Sequence, residues 1–139
     1  MPRFTKIVLW VYIAFNLLIA VTLIASPGQV DATYKGGDMT PTRQFMWFSI
    51  GSFHLFVVGV TLVSLRLRHA AERRWLHLAN GAFYVWDAVT QWLYWGKHLG
   101  VAARDLHTNA GVSAVCGLLL VVAFWRDRDV SAAAPGTDG

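Results

Sequence analysis

With 139 residues, the chain has room for one domain, and its single cysteine excludes an intramolecular disulfide or a cysteine zinc cluster. Hydrophobic residues make up 55% of the chain and charged residues only 14%, against about 25% charged in an average soluble protein. The net charge of +4 comes from basic residues spread between apolar segments, which argues against the contiguous basic face of a nucleic-acid-binding protein. We therefore expect an integral membrane protein that does not bind nucleic acid.

Four apolar segments are each long enough to cross a bilayer, which takes about 20 residues. In chain order they lie near 5–26, 43–66, 75–97 and 106–125. The first follows Arg3 and Lys6 as a signal peptide would, but its apolar run exceeds the ~7–15 residues of a secretory core, so we expect it to be retained. The predicted fold class is all-α: a four-helix transmembrane bundle in residues 1–126, followed by a disordered cytoplasmic tail in 127–139.

Local signals place the helix ends and the contacts between helices. Thr40 and Pro41 predict the start of the second helix, with threonine as N-cap and proline as the first helical residue. A short basic connection separates the second and third segments, so we expect these two to form a tight antiparallel hairpin. Five glycines are predicted to be sites of close helix packing, namely Gly51, Gly59, Gly81, Gly111 and Gly117.

The placement of lysine and arginine predicts that both termini face the cytoplasm. With the N-terminus inside, eight basic residues lie on the cytoplasmic side: Arg3, Lys6, Arg66, Arg68, Arg73, Arg74, Arg126 and Arg128. Four lie outside: Lys35, Arg43, Lys97 and Arg104. This asymmetry satisfies the positive-inside rule. Four spans in a chain of this length are typical of small bacterial membrane proteins, so the predicted location is a bacterial plasma membrane.

Asp87 is the only carboxylate deep inside any of the four apolar segments. A charge at that depth costs ~3 kcal/mol or more, which makes it a functional candidate by default. Polar residues recur around it at alternating steps of three and four, the spacing of one helix face. They are His77, Asn80, Tyr84, Asp87, Gln91, Tyr94 and His98. We expect this polar stripe to line a path or an elongated cavity.

Each of the other spans places a polar side chain at the level of Asp87. At a rise of ~1.5 Å per residue, His54 lies ~16 Å from the outer end of the second span and Asp87 ~15 Å from that of the third. Asn16 and Ser113 lie at comparable depths in the first and fourth spans. Because polar side chains in a bilayer face other helices, we predict one buried cluster. Its members are Asn16, His54, Asp87, Gln91 and Ser113.

Two interpretations of this cluster stay open. In the first, His54 and Asp87 satisfy each other and only hold the helices together. In the second, they line a cavity that accepts a proton or a small polar group. Burial favours the neutral form of Asp87 and a protonated His54 favours its carboxylate, so the sequence leaves the charge of the pair open.

The first functional hypothesis is a site that binds, and in an enzyme converts, a small apolar or lipid-like molecule, with Asp87 and His54 as catalytic acid–base residues. An isomerisation or a cyclisation would suit such a pair. The predicted ligand-binding residues are Asn16, Tyr84, Trp86, Gln91, Trp92, Tyr94 and Ser113, whose aromatic members also suit a cation. The second hypothesis is a homodimeric proton-coupled transporter with Asp87 as the proton carrier. The third is an accessory structural subunit of a larger membrane complex.

No sequence motif identifies a cofactor. Haem between membrane helices commonly needs two histidines at matching depth, and only His54 is deep, which leaves single-histidine ligation as the remaining haem option. His98, Asp105 and His107 are ligand types that suit a divalent metal, but their spacing matches no metal motif, so no metal site is predicted. Phosphate-binding and hydrolase motifs are absent as well.

Overall fold

The computed structural model describes residues 1–33, 39–95 and 103–132 of the chain. These residues form α-helices and no strand, which confirms the all-α class for the described part of the chain. The helices are α1 (Arg3–Ala25), α2 (Pro27–Thr33), α3 (Pro41–Arg66), α4 (Ala70–Thr90) and α5 (Ala103–Ala132). One π-helical turn, Gln91–Trp95, continues α4.

Three helical stretches in the described part of the chain are long and apolar enough to cross a membrane: Arg3–Ala25, Pro41–Arg66 and His107–Asp127. They correspond to the first, second and fourth predicted spans. Helix α4, which contains most of the predicted span 75–97, is not among them. Glu72, Arg73 and Arg74 near its start, together with the polar stripe that follows, make α4 less apolar than a typical membrane span.

The start of α3 follows the sequence prediction. Thr40 is the N-cap, its hydroxyl oxygen accepts the backbone N–H of Arg43 at 3.2 Å, and Pro41 is the first helical residue. The preceding connection contains the short helix α2, which sequence inspection did not separate from the loop. Pro27 starts α2, because its fixed φ and missing N–H are tolerated in a first helical turn.

The last helix is longer than the sequence prediction. Helix α5 runs without a break to Ala132, so the predicted boundary at residue 126 lies inside a helix and was wrong. Asp127, which was assigned to a disordered tail, is fully buried in that helix. The remaining tail residues, 133–139, lie outside the described part of the chain.

The long helices pack most closely as two pairs, α1 with α3 and α4 with α5. Gly81 and Gly117 make the second pair possible, because a Cβ on either glycine would lie 3.1–3.2 Å from the carbonyl oxygen of the other. Gly51 has the same role between α3 and α1, against Leu23 and Ile24. The predicted tight hairpin of α3 and α4 was wrong, since these two helices meet over a much shorter length.

Two of the five glycines predicted as packing sites do not pack. A Cβ added to Gly59 or Gly111 would have no neighbouring atom within 4 Å. The two helix pairs nevertheless share a core, to which all four long helices contribute. Its buried members are Leu9, Tyr12, Val57, Tyr84 and Leu120.

Candidate functional site

A cavity of about 320 Å³ lies where the pair α1 and α3 meets the pair α4 and α5. It is partly open to the surface. Its wall is formed by Phe15, Ile19, Leu23, Val30, Trp47, Ile50 and Val112. Its other lining side chains are polar: His54, Tyr84, Asp87, Gln91, Asn109 and Ser113. The cavity therefore joins a largely apolar wall to a compact polar region.

Asp87 is held at this cavity by two neutral donors. Gln91, one turn later on the same helix face, donates from Nε2 to Oδ2 of Asp87 at 2.6 Å. Ser113 on α5 donates from Oγ to the same oxygen at 2.7 Å, and Gln91 Nε2 also donates to Ser113 Oγ at 3.2 Å. Both bonds to the carboxyl group of Asp87 use Oδ2. Its Oδ1 takes part in neither, and the side chain is only half-buried.

His54 bonds to Asn16 and not to Asp87. The Nδ1 of His54 lies 2.7 Å from Oδ1 of Asn16, and the hydroxyl of Tyr84 donates to the same oxygen. Nδ2 of Asn16 donates to the carbonyl oxygen of Tyr12 at 2.8 Å, which fixes the orientation of the amide. Because an amide oxygen only accepts, Nδ1 of His54 carries the hydrogen. In the neutral imidazole, Nε2 is then the basic nitrogen.

The predicted five-residue cluster therefore divides into two hydrogen-bonded groups beside one cavity. One group is Asn16, His54 and Tyr84, and the other is Asp87, Gln91 and Ser113. Four of the five predicted cluster residues line the cavity, whereas Asn16 is buried behind it and holds His54 in place. The direct His54–Asp87 pairing of the purely structural interpretation is absent from the hydrogen bonds of these described residues.

The polar stripe of the third predicted span faces the interior over most of its length. Its buried or half-buried members are His77, Asn80, Tyr84, Asp87 and Gln91. Asn80 donates to the hydroxyl of Thr61 on α3 at 3.3 Å. Tyr94 departs from the stripe, and His98 lies outside the described residues. The helical spacing in the sequence thus identified the correct inward face up to Gln91.

Three of the predicted ligand-binding aromatics do not reach the cavity. Trp86 is 65% exposed, Trp92 58% and Tyr94 55%. Trp86 and Trp92 each directly adjoin an inward-facing residue in sequence, so a rotation of about 100° per residue turns them away. Tyr94 had the correct α-helical spacing, but the wider π-helical turn from Gln91 to Trp95 changes the register. Phe15 and Trp47 line the cavity instead, together with Tyr84.

Helix α2 is fixed over one end of the cavity by a contact that the sequence did not reveal. Oδ1 of Asp31 on α2 accepts the indole N–H of Trp47 at 2.8 Å, and its Oδ2 pairs with Arg43 at 2.7 Å. Asp31 is almost fully buried. Val30, the preceding residue, and Trp47 both line the cavity, so this contact connects α2 directly to the candidate site.

A second buried polar group ties α4 to α5 away from the cavity. Oδ2 of Asp127 lies 3.1 Å from Nε2 of His77 and 3.5 Å from Nε of Arg73. Arg73 also donates from Nη1 to the carbonyl oxygens of Leu67 and Arg68. All three side chains are buried, and none lines the cavity. Sequence analysis missed the group because Asp127 had been placed in the tail.

Three residues were considered as ligands of a divalent metal ion: His98, Asp105 and His107. His98 lies outside the described residues, and Asp105 and His107 are both exposed. The ring of His107 packs on Trp92, with centroids 4.6 Å apart. Across residues 1–33, 39–95 and 103–132, no three His, Cys, Asp or Glu side chains are grouped to hold a metal ion. For the whole chain, the lack of a metal site stays a prediction.

Comparison with protein-family models, with curated proteins and with solved structures found no match for this chain. The function is therefore inferred from the cavity and from the side chains around it. Two of its lining residues that can exchange a proton, Asp87 and His54, come from different helix pairs. Each is oriented by its own neighbours and not by the other, which leaves an atom of each side chain for a ligand.

Proposed function

We propose that the chain is an integral membrane protein that binds a small apolar or lipid-like molecule in the cavity beside Asp87. The polar part of the ligand would meet Asp87 and His54, and its apolar part would contact the wall formed by residues such as Phe15 and Ile19. Ligand sites are commonly apolar concavities with a few convergent polar groups, which is the composition of this cavity. The observation that carries the proposal is a cavity next to Asp87 within a single chain.

Helix α4 would be the fourth membrane span, completing a four-helix bundle with both termini cytoplasmic. Its polar stripe is buried against other helices, so its composition underestimates how apolar its outer surface is. That outer surface, with the turn that follows, exposes Trp75, Val85, Trp86, Val89, Trp92 and Leu93. Apolar and aromatic residues of this kind suit lipid contact. The balance of basic residues supports the orientation, in a bacterial plasma membrane.

An acid–base reaction on the bound molecule is the catalytic form of the proposal. The bond from Nδ1 of His54 to Asn16 leaves Nε2 as a base. Asp87 supplies a second group that can exchange a proton, with Oδ1 outside the bonds from Gln91 and Ser113. Neutral His54 would take a proton from one atom of the ligand, and Asp87 in its protonated form would donate a proton to another atom, which isomerises the ligand.

The two other hypotheses have less support. Proton-coupled transport by a homodimer is supported only by the inward polar face of α4, which extends from His77 to Gln91. An accessory structural subunit would be favoured by a filled core in which His54 bonds to Asp87. The cavity and the bond from His54 to Asn16 favour a ligand site over that third hypothesis.

Native mass spectrometry of protein purified in a mild detergent tests the proposal. We expect the wild-type chain to retain a small molecule and Asp87→Asn to lose it. Asp105→Asn is the matched control, because it makes the same chemical change at an exposed position on α5. If Asp87→Asn keeps the bound molecule and only unfolds at a lower temperature, Asp87 is structural and the proposal fails.

A further inference from the structure

We propose that the molecule bound in this cavity is a lipophilic amine, held as its ammonium ion with the nitrogen at Asp87. This inference rests on the proposed function, because it names the chemical class of the ligand for the same site. It follows from the hydrogen-bond donors and acceptors of the lining residues, from the charge of the cavity and from its size.

The lining side chains, Asn109 set aside, already use their N–H and O–H donors within the protein. Trp47 donates to Asp31, His54 and Tyr84 to Asn16, Ser113 to Asp87, and Gln91 to both Asp87 and Ser113. A ligand that offers only acceptors, such as a ketone, an ether or a carboxylate, would have to displace one of these bonds. The loss of a buried hydrogen bond opposes that exchange.

Acceptors, in contrast, remain available around the same region. Oδ1 of Asp87 takes part in neither bond to that carboxyl group, and Nε2 of neutral His54 carries a lone pair. Oε1 of Gln91 is buried and has no hydrogen-bond partner among the described residues. A primary ammonium group places up to three hydrogens on one nitrogen, so it is the ligand group that matches a region of acceptors.

The charge of the cavity points the same way. The described side chains that line it include one carboxyl group, Asp87, and no lysine or arginine. Arg43, near α2, is paired with Asp31 at 2.7 Å. A half-buried carboxylate held only by neutral donors is stabilised by a cation beside it, because opposite charges attract more strongly where bulk water is partly excluded. The rings of Trp47 and Tyr84 add the aromatic surroundings that favour ammonium ions.

The volume of about 320 Å³ sets the size of the ligand. Small-molecule sites span roughly 300–1,000 Å³, so this cavity accommodates an amine with a short chain or a single ring system. Because the cavity is partly open, the remainder of a longer chain can extend beyond it. A compact amine head with an apolar body is therefore the class that fits both the wall and the polar region.

Three probes of equal chain length separate the possible ligand classes: octylamine, 1-octanol and octanoic acid. Each is titrated into the detergent-solubilised wild-type chain, and affinity is obtained from the shift in unfolding temperature. We expect octylamine to bind about tenfold or more tightly than the other two, since hydrogen bonds between charged groups are the stronger ones. Asp87→Asn should remove the preference for the amine, and Asp105→Asn should keep it.

The outcomes distinguish this inference from the proposed function. If 1-octanol binds as tightly as octylamine, or octanoic acid binds more tightly, the cavity binds amphiphiles but the amine class is wrong. If none of the three probes shifts the unfolding of the wild-type chain, the ligand site itself is refuted. The comparison among probes uses only wild-type protein, so it holds even if Asp87→Asn fails to fold.

Discussion

The imidazole of His54 is oriented by Asn16, a residue of another helix that does not line the cavity. Nδ1 of His54 lies 2.7 Å from Oδ1 of Asn16, and that oxygen also accepts the hydroxyl of Tyr84 from α4. One amide therefore connects α1 to both α3 and α4. The bond to Asn16 makes Nε2 the basic nitrogen of His54, although Asn16 itself does not line the cavity.

Replacing Asn16 should weaken both the fold and the site. Asn16→Leu keeps a similar volume but leaves two donors without an acceptor, the part-buried Nδ1 of His54 and the buried hydroxyl of Tyr84. We expect the free energy of unfolding to fall by about 1–3 kcal/mol, the cost of unsatisfied buried polar groups. Unfolding in detergent measures it, with Thr22→Ala as the control, because Thr22 is exposed on the same helix. Equal effects of the two substitutions would contradict the assigned role of Asn16.

A methyl group added where α4 and α5 cross should destabilise the packing of these two helices. In Gly117→Ala, the new Cβ would lie 3.1 Å from the carbonyl oxygen of Gly81 and 3.0 Å from Cγ2 of Val85. We expect a loss of about 1–3 kcal/mol in unfolding free energy, because a backbone atom cannot move without moving its helix. Gly111→Ala, on the same helix, has open space around the new methyl and should be neutral or stabilising by up to about 1 kcal/mol. The two variants are compared by thermal unfolding, and a reversed order would exclude the close crossing.

The C-terminal end of α5 should contribute strongly to stability. A chain that ends at Arg126 loses Asp127 and leaves Arg73 and His77 buried without their carboxylate. We expect a loss of about 3–5 kcal/mol, as when one partner of a buried ionic group is removed.

A chain that ends at Ala132 is the matched control for this truncation. It keeps Asp127 and all of α5, so its unfolding temperature should equal that of the full chain. Asp127→Ala in the full chain separates the loss of the carboxylate from the loss of helix length. Equal stability of the Arg126 and Ala132 truncations would contradict the assignment.

Releasing α2 should expose one end of the cavity. Asp31→Ala removes the acceptor of the Trp47 indole and the partner of Arg43. We expect the backbone N–H groups of residues 28–33 to exchange about tenfold faster or more, since local opening becomes easier by roughly the strength of these bonds. Hydrogen exchange followed by mass spectrometry measures this for α2 relative to α1. Gln29→Ala, exposed on the same short helix, should leave the rate unchanged. An unchanged rate in Asp31→Ala would show that Asp31 does not hold α2 in place.

Helical periodicity in the sequence was sufficient to find the inward face of α4. His77, Asn80, Tyr84 and Gln91 are all buried, as a spacing of three and four residues predicts. Depth along the helix also placed His54 and Asp87 at one cavity, because a constant rise per residue converts a residue count into a height. Both arguments depend only on regular helix geometry.

Hydrogen-bond partners could not be obtained in the same way. Equal depth does not specify which neighbours a side chain meets, so His54 was considered with Asp87 although it bonds to Asn16. Asp31, which bonds to Trp47 and Arg43, lies in a stretch without periodicity, and Asp127 lies in a polar stretch that is typical of a tail. In each case the deciding contact is between residues distant in sequence, which no local pattern encodes.

The π-helical turn at Gln91 makes the site sensitive to a change in chain length. One residue removed between Gln91 and Trp95 would favour an ordinary α-helical turn and shift every following position by a full residue. The side chains that now lie on the outer surface would then rotate toward the polar region, while Asp87 and all residues before it stayed in place. Insertions and deletions at this point would therefore change which side chains of the turn lie beside the polar region, without moving Asp87.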